Sequence, residues 1–94
     1  MDECQQAEPS IVEIKVVKSS CHLMAEGSRL ILEGPCISYE KSGPVCVTAL
    51  NAIYPWVMLT RFAVKTPALD YDNENQCYHA TCPCGTVSYD IRKL

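Results

Sequence analysis

The sequence predicts an α+β domain: a small antiparallel sheet in the chain order ββαββ, covered by one long helix kinked at a proline. Two observations carry this expectation. Ile11 to Lys18 and Thr86 to Arg92 each alternate apolar and polar residues, as a strand with one wet face does. Between them, Val45 to Thr60 contains no charged residue and is apolar around most of a helical circumference. At 94 residues and 48% apolar content the chain is expected to form a single domain over 1–94, with 1–9 as a polar leader and 10–94 as the folded core. So short a chain buries only about two thirds of its unfolded surface, and a metal, a cluster or a partner subunit would add stability.

The first strand places Val12, Ile14 and Val16 on one face and Glu13 and Lys15 on the other. A polar loop with Cys21-His22 and Gly27 follows. Arg29 to Glu33 then reads as a second strand stopped by Gly34-Pro35 and paired antiparallel with the first. Ser42-Gly43-Pro44 marks a helix start, because a proline in the first turn loses no intrahelical bond, and the helix is expected over Val45 to Phe62. Pro55 removes the N–H that would bond Asn51 and predicts a kink or a break into two helices. The uncharged stretch is shorter than the ~20 apolar residues that span a bilayer, so it reads as a core helix. Lys65 to Gln76 is a polar loop, Cys77 to Cys82 a strand, and Pro83-Cys84-Gly85 a tight turn in which Gly85 is free to take positive φ. The last strand turns Val87, Tyr89 and Ile91 inward.

Seven cysteines allow three readings: disulfide staples, metal or cluster ligands, or buried apolar residues. The acidic, polar start Met1-Asp2-Glu3-Cys4 is unlike a secretory signal, so the cytoplasm is the expected location and a disulfide framework the least favoured reading. Metal ligation and ordinary burial both remain open. A net charge of −3 with eight scattered Lys and Arg opposes nucleic-acid binding. No phosphate-cradling glycine loop, nucleophile elbow or paired acid and base is visible.

Cys21 with Gly27, Cys46 opening a helix through Ala49-Leu50 and Tyr54-Pro55 to Arg61-Phe62, then Pro67, and Cys82-Pro83 before a last alternating strand form a recognisable series. From Ile11 to Leu94 the chain resembles a family of small single-domain proteins of bacteria and archaea, many of them anaerobes, with no established activity. That family repeats a Cys in the first loop, a Cys at the helix start and a Cys-Pro-Asp near the end. The resemblance implies that Cys21, Cys46 and Cys82 are its recurring cysteines. The chain departs from the pattern at Cys21-His22 and Cys46-Val47, where the family has Cys-Pro, at Arg61-Phe62-Ala63-Val64, where it has Arg-Tyr-Gly-Gly, at Pro67-Ala68 for Pro-Trp, and at Cys84 for Asp.

The expected topology can bring Cys21, Cys46 and Cys82 to one edge of the sheet, with Cys84 as a fourth candidate metal ligand. A helix start favours negative charge and so the thiolate of Cys46. Cys82-Pro83-Cys84-Gly85 is one residue shorter than the Cys-x-x-Cys-Gly knuckle of zinc and iron sites. Three thiolates with an open position would suit a metal or cluster that binds substrate or sulfur, and four a closed structural site; an iron-sulfur cluster and zinc are the candidate cofactors. Burial as plain packing residues is the competing reading and is assigned to Cys4, Cys36 and Cys77. His22 and His79 are read as solvated or strand residues, and Asp70, Asp72 and Glu74 as a solvated loop. Arg61, able to hold an anionic group, and Tyr54, beside the expected kink, are the candidate cofactor-binding residues.

Two functions from different classes are consistent with this reading. One is a small cytoplasmic protein carrying a cysteine-bound metal or iron-sulfur cluster, with a redox or sulfur-handling role. The other is a non-catalytic accessory module with structural cysteines that docks on a larger enzyme. A homo-oligomer or an enzyme partner is compatible with so small a core; a nucleic acid or a membrane is not expected. Whether the chain is an enzyme, and of what reaction, stays open.

Overall fold

The alternation of Val12, Ile14 and Val16 produces β1 (Ile11–Ser19), whose apolar face is buried while Lys15 and Lys18 stay exposed. β1 is the middle of the sheet. It pairs antiparallel with β2 (Arg29–Glu33) on one side and β5 (Val87–Lys93) on the other. β3 (Cys36–Ile37) adds to β2 and β4 (Tyr78–Thr81) to β5, giving the order β3-β2-β1-β5-β4. These features come from a computed structural model that describes residues 10–69 and 71–94. The expected leader at 1–9, with Cys4, and Asp70 lie outside the described residues.

The ββαββ arrangement under a long kinked helix is therefore corrected to five antiparallel strands and one shorter helix. The missing strand hides behind a signal read as a stop. Gly34 adopts φ 62° ahead of Pro35, and this two-residue turn reverses the chain so that Cys36 pairs with Glu33. A two-residue strand is too short to show periodicity. The helix, α1, spans Val47–Arg61 and passes Pro55 as one continuous element. Pro55 and Asn51 both face solvent, where water can take up the carbonyl that loses its partner.

Ala49, Ile53, Val57 and Thr60, spaced by four, four and three, form the buried stripe of α1. They pack on the face of the sheet that carries Val12, Ile14, Val16, Leu30, Leu32, Tyr78, Val87, Tyr89 and Ile91. Among the described residues no helix covers the opposite face, which carries Glu13, Ile31, His79, Asp90 and Arg92. Among the described residues no helix is long and apolar enough to cross a membrane.

Candidate metal centre

Strand alternation sends charged residues of four strands to the face opposite α1, and antiparallel register brings opposite signs together. Arg29 Nη1 lies 3.2 Å from Glu13 Oε2 and Arg92 Nε lies 3.7 Å from Glu13 Oε1. Arg92 Nη2 is 3.7 Å from Asp90 Oδ2, and Asp90 Oδ1 is 2.6 Å from His79 Nδ1. The ladder ends at Asp72, whose Oδ2 is 2.9 Å from His79 Nε2. Glu13 with Arg92, and His79 with Asp90, are directly opposed pairs.

Asp72 is held by its own loop. Its backbone N–H donates to Cys77 O at 2.9 Å, and Cys77 N–H returns a bond to Asp72 O at 3.2 Å. Oδ1 accepts the N–H groups of Glu74 at 3.0 Å and Asn75 at 3.1 Å, and Oδ2 accepts the Asn75 side-chain amide at 2.8 Å. This is the self-bonded turn that Asp favours. Cys77 is fully buried, and its Sγ sits 4.0 Å from His79 Nε2. One ligand atom each from Asp72, Cys77 and His79 thus lies within 4.8 Å of the others.

This group can hold a metal ion. A carboxylate, a thiolate and an imidazole are all zinc donors, and three protein ligands leave a fourth tetrahedral position for water or substrate. Asp90 supplies the orienting bond. With a cation bound, its carboxylate would hold the proton on His79 Nδ1, 2.6 Å away, and leave the Nε2 lone pair for the metal, as carboxylates commonly do behind metal-bound histidines.

Without a cation the same atoms make an ion cluster. Hydrogen bonds from Asn75 and then His79 hold the Asp72 carboxyl well below the usual carboxylate range. Bonds to Asp72 and then Asp90 raise the pKa of His79, whereas burial, followed by the charge of Asp90, raises that of the Cys77 thiol. A raised His79 stabilises the fold fully below its ordinary value of 6.5, and the contribution fades as pH climbs through the raised value. The depressed Asp72 stabilises above 3.8, and that contribution fades as pH falls through the lowered value. In chelator, His79→Gln is therefore expected to lower the melting temperature most between about pH 4 and 6.5, with the gap closing at alkaline pH. A gap that is flat with pH would contradict this.

The cysteines expected to form a site take separate positions. Cys46 is the exposed N-cap of α1, with no side-chain capping bond; Cys21 is half-buried in the β1–β2 loop, Cys82 is buried at the end of β4, and Cys84 is exposed in the turn after it. Burial first, and then the thiols of Cys46, Cys82 and Cys21, push the Tyr89 phenol up to about 12. Among the described residues, however, only Asp72, Cys77 and His79 bring three such ligand atoms within 4.8 Å, so Cys21, Cys46, Cys82 and Cys84 make no gathered ligand set.

Tyr54 lines a shallow groove with Val47, Leu50 and Asn51, whereas the Arg61 guanidinium lies 4.9 Å over the Phe62 ring. Asp72, Cys77 and His79 are the residues that sequence reasoning had left to solvent and packing. A usable signal was present: Cys77 and His79, two apart, fall on one face of a strand, opposite Asp90. Comparison with family models, with curated proteins and with solved structures finds no match to this chain.

Proposed function

We propose that this chain is a small metal-binding protein that takes one divalent cation, zinc foremost, on Asp72, Cys77 and His79. The observation that carries the reading is the 2.6 Å contact between Asp90 and His79 Nδ1, which leaves Nε2 facing a buried thiol and a pinned carboxylate. A mixed set of nitrogen, oxygen and sulfur fits zinc. An iron-sulfur cluster draws mainly on thiolates, and this centre has a single one. With three protein ligands the cation keeps a position at which water or a substrate oxygen can bind, so the site supports Lewis-acid chemistry as well as a structural role.

Zinc titration of the chelator-treated chain tests the proposal. Binding must displace the His79 proton and ionise Cys77, so one equivalent is expected to bind with an affinity that rises from pH 6 to pH 8. Zinc at a hundred times its dissociation constant would add about 2.7 kcal/mol to the stability of the fold. Absence of a thermal shift at every pH would leave the charged ladder as a lock on strand register, and would favour the accessory module.

A further inference from the structure

A cleft opens where the segment leaving α1, the loop before β4 and the end of β5 meet. Its volume is about 290 Å³, near the lower end for small-molecule sites, and none of Asp72, Cys77 and His79 lines it. Part of its wall is apolar. Val64, the half-buried Tyr71 and the fully buried Tyr78 and Ile91 all contribute, and the edge contact of Tyr71 with Tyr78, 4.8 Å between centroids, fixes the Tyr71 ring.

The rest of the wall is basic or carries amides. Lys65, Arg92 and Lys93 are three of the eight Lys and Arg in a chain of net charge −3, and among the described residues no Asp or Glu lines the cleft. Arg92 is partly neutralised, since its guanidinium stands 3.7 Å from both Glu13 and Asp90. Lys65 and Lys93 are different. Both are exposed, and neither makes an ion pair among the described residues. Lys65 Nζ lies 5.7 Å from the centroid of the Tyr71 ring, so a cation sits directly beside the apolar wall. In a concave, partly apolar wall, charges of one sign focus their field on whatever enters. The Asn75 amide is spent on Asp72, whereas Gln76 is exposed and its side chain makes no hydrogen bond among the described residues.

We propose that this cleft binds a small organic anion, whose phosphate or carboxylate meets the ammonium groups of Lys65 and Lys93 and whose apolar body lies against Tyr71. The volume suits a molecule of one ring or a short chain and excludes a larger ligand from full burial. The anion offers Lys65 and Lys93 the partner that the fold does not, and the neighbouring Gln76 amide can donate to the same oxygens. The site needs no metal and is independent of the metal centre.

The test titrates the chelator-treated full-length chain with phenyl phosphate, with benzoate, and with phenol as the uncharged control, and follows backbone amide shifts by NMR. At least one of the two anions is expected to bind with a dissociation constant of about 1 mM or lower, with phenol about 10-fold weaker or more. The tighter of the two names the group recognised. The shifts should concentrate on Lys65, Tyr71, Gln76 and Lys93. Lys65→Gln combined with Lys93→Gln is expected to weaken the anion about 10-fold, and Lys65→Arg with Lys93→Arg to retain it. No binding of either anion at millimolar concentration, equal affinity for phenol, or shifts spread evenly over Lys15, Lys18 and Lys41 as well would overturn the proposal. Zinc affinity should be the same in the double Gln variant as in the parent chain, so the two proposals fail independently.

Discussion

Replacing His79 with Ala is expected to abolish tight zinc binding, by more than the roughly 10- to 100-fold that loss of an outer-shell partner costs. The imidazole is the hinge of the site. It touches Asp72 through Nε2 and Asp90 through Nδ1, and the same Nε2 lies nearest the buried thiol. Without it a cation would meet only a carboxylate already bonded to Asn75 and a thiol whose burial opposes ionisation. Asp90→Asn should cost less, about 10- to 100-fold, because Nε2 remains while its orienting acceptor is weakened. Isothermal titration with zinc at pH 7.5 distinguishes these outcomes. Equal affinity in the parent chain and His79→Ala would remove the imidazole from the site.

The second large effect concerns stability. Tyr78 is fully buried, its hydroxyl donates to Val64 O at 2.6 Å, and Thr66 N–H donates to the Tyr78 hydroxyl oxygen at 3.0 Å. The path of the chain explains the contact. Ala63 takes φ 58° directly after α1, and Val64 N–H bonds back to Leu59 O at 2.8 Å, so the segment leaving the helix turns onto β4. Tyr78→Phe keeps the ring and its edge contact with Tyr71, 4.8 Å between centroids, but removes both hydrogen bonds. A loss of about 1–3 kcal/mol is expected, read as a lower urea midpoint with an unchanged slope. Against the 5–15 kcal/mol typical of whole domains, that is a large fraction for so small a core. Tyr78→Ala would add a cavity and lose about 3–5 kcal/mol.

Periodicity made β1 and β5 legible because each alternates along seven residues or more, whereas β2, with Leu30, Ile31 and Leu32 all buried, was legible as a short apolar run closed by Gly34-Pro35. β3 was illegible because its two residues carry no period and its turn residues, Gly34 and Pro35, are also the residues that end strands. The kink failed for a different reason. Proline costs a helix one hydrogen bond and crowds the carbonyl four residues back, yet α1 continues through exposed Pro55, where water takes up the Asn51 carbonyl. The predicted loop, helix start and turn suggested that Cys21, Cys46 and Cys82 would meet, but whether three sulfurs come within ligand range depends on rotamers and spacings that a sequence does not carry. Asp72 was out of reach. Its place beside His79 depends on the single backbone bridge with Cys77, formed across a loop with no strand pattern.

X-ray absorption at the zinc edge of the chain loaded with one equivalent tests the central claim most directly. One sulfur near ~2.3 Å with nitrogen and oxygen neighbours near ~2.0–2.1 Å is the predicted first shell. Three or four sulfurs would move the metal to the other cysteines and contradict the assignment, as would a shell with no sulfur.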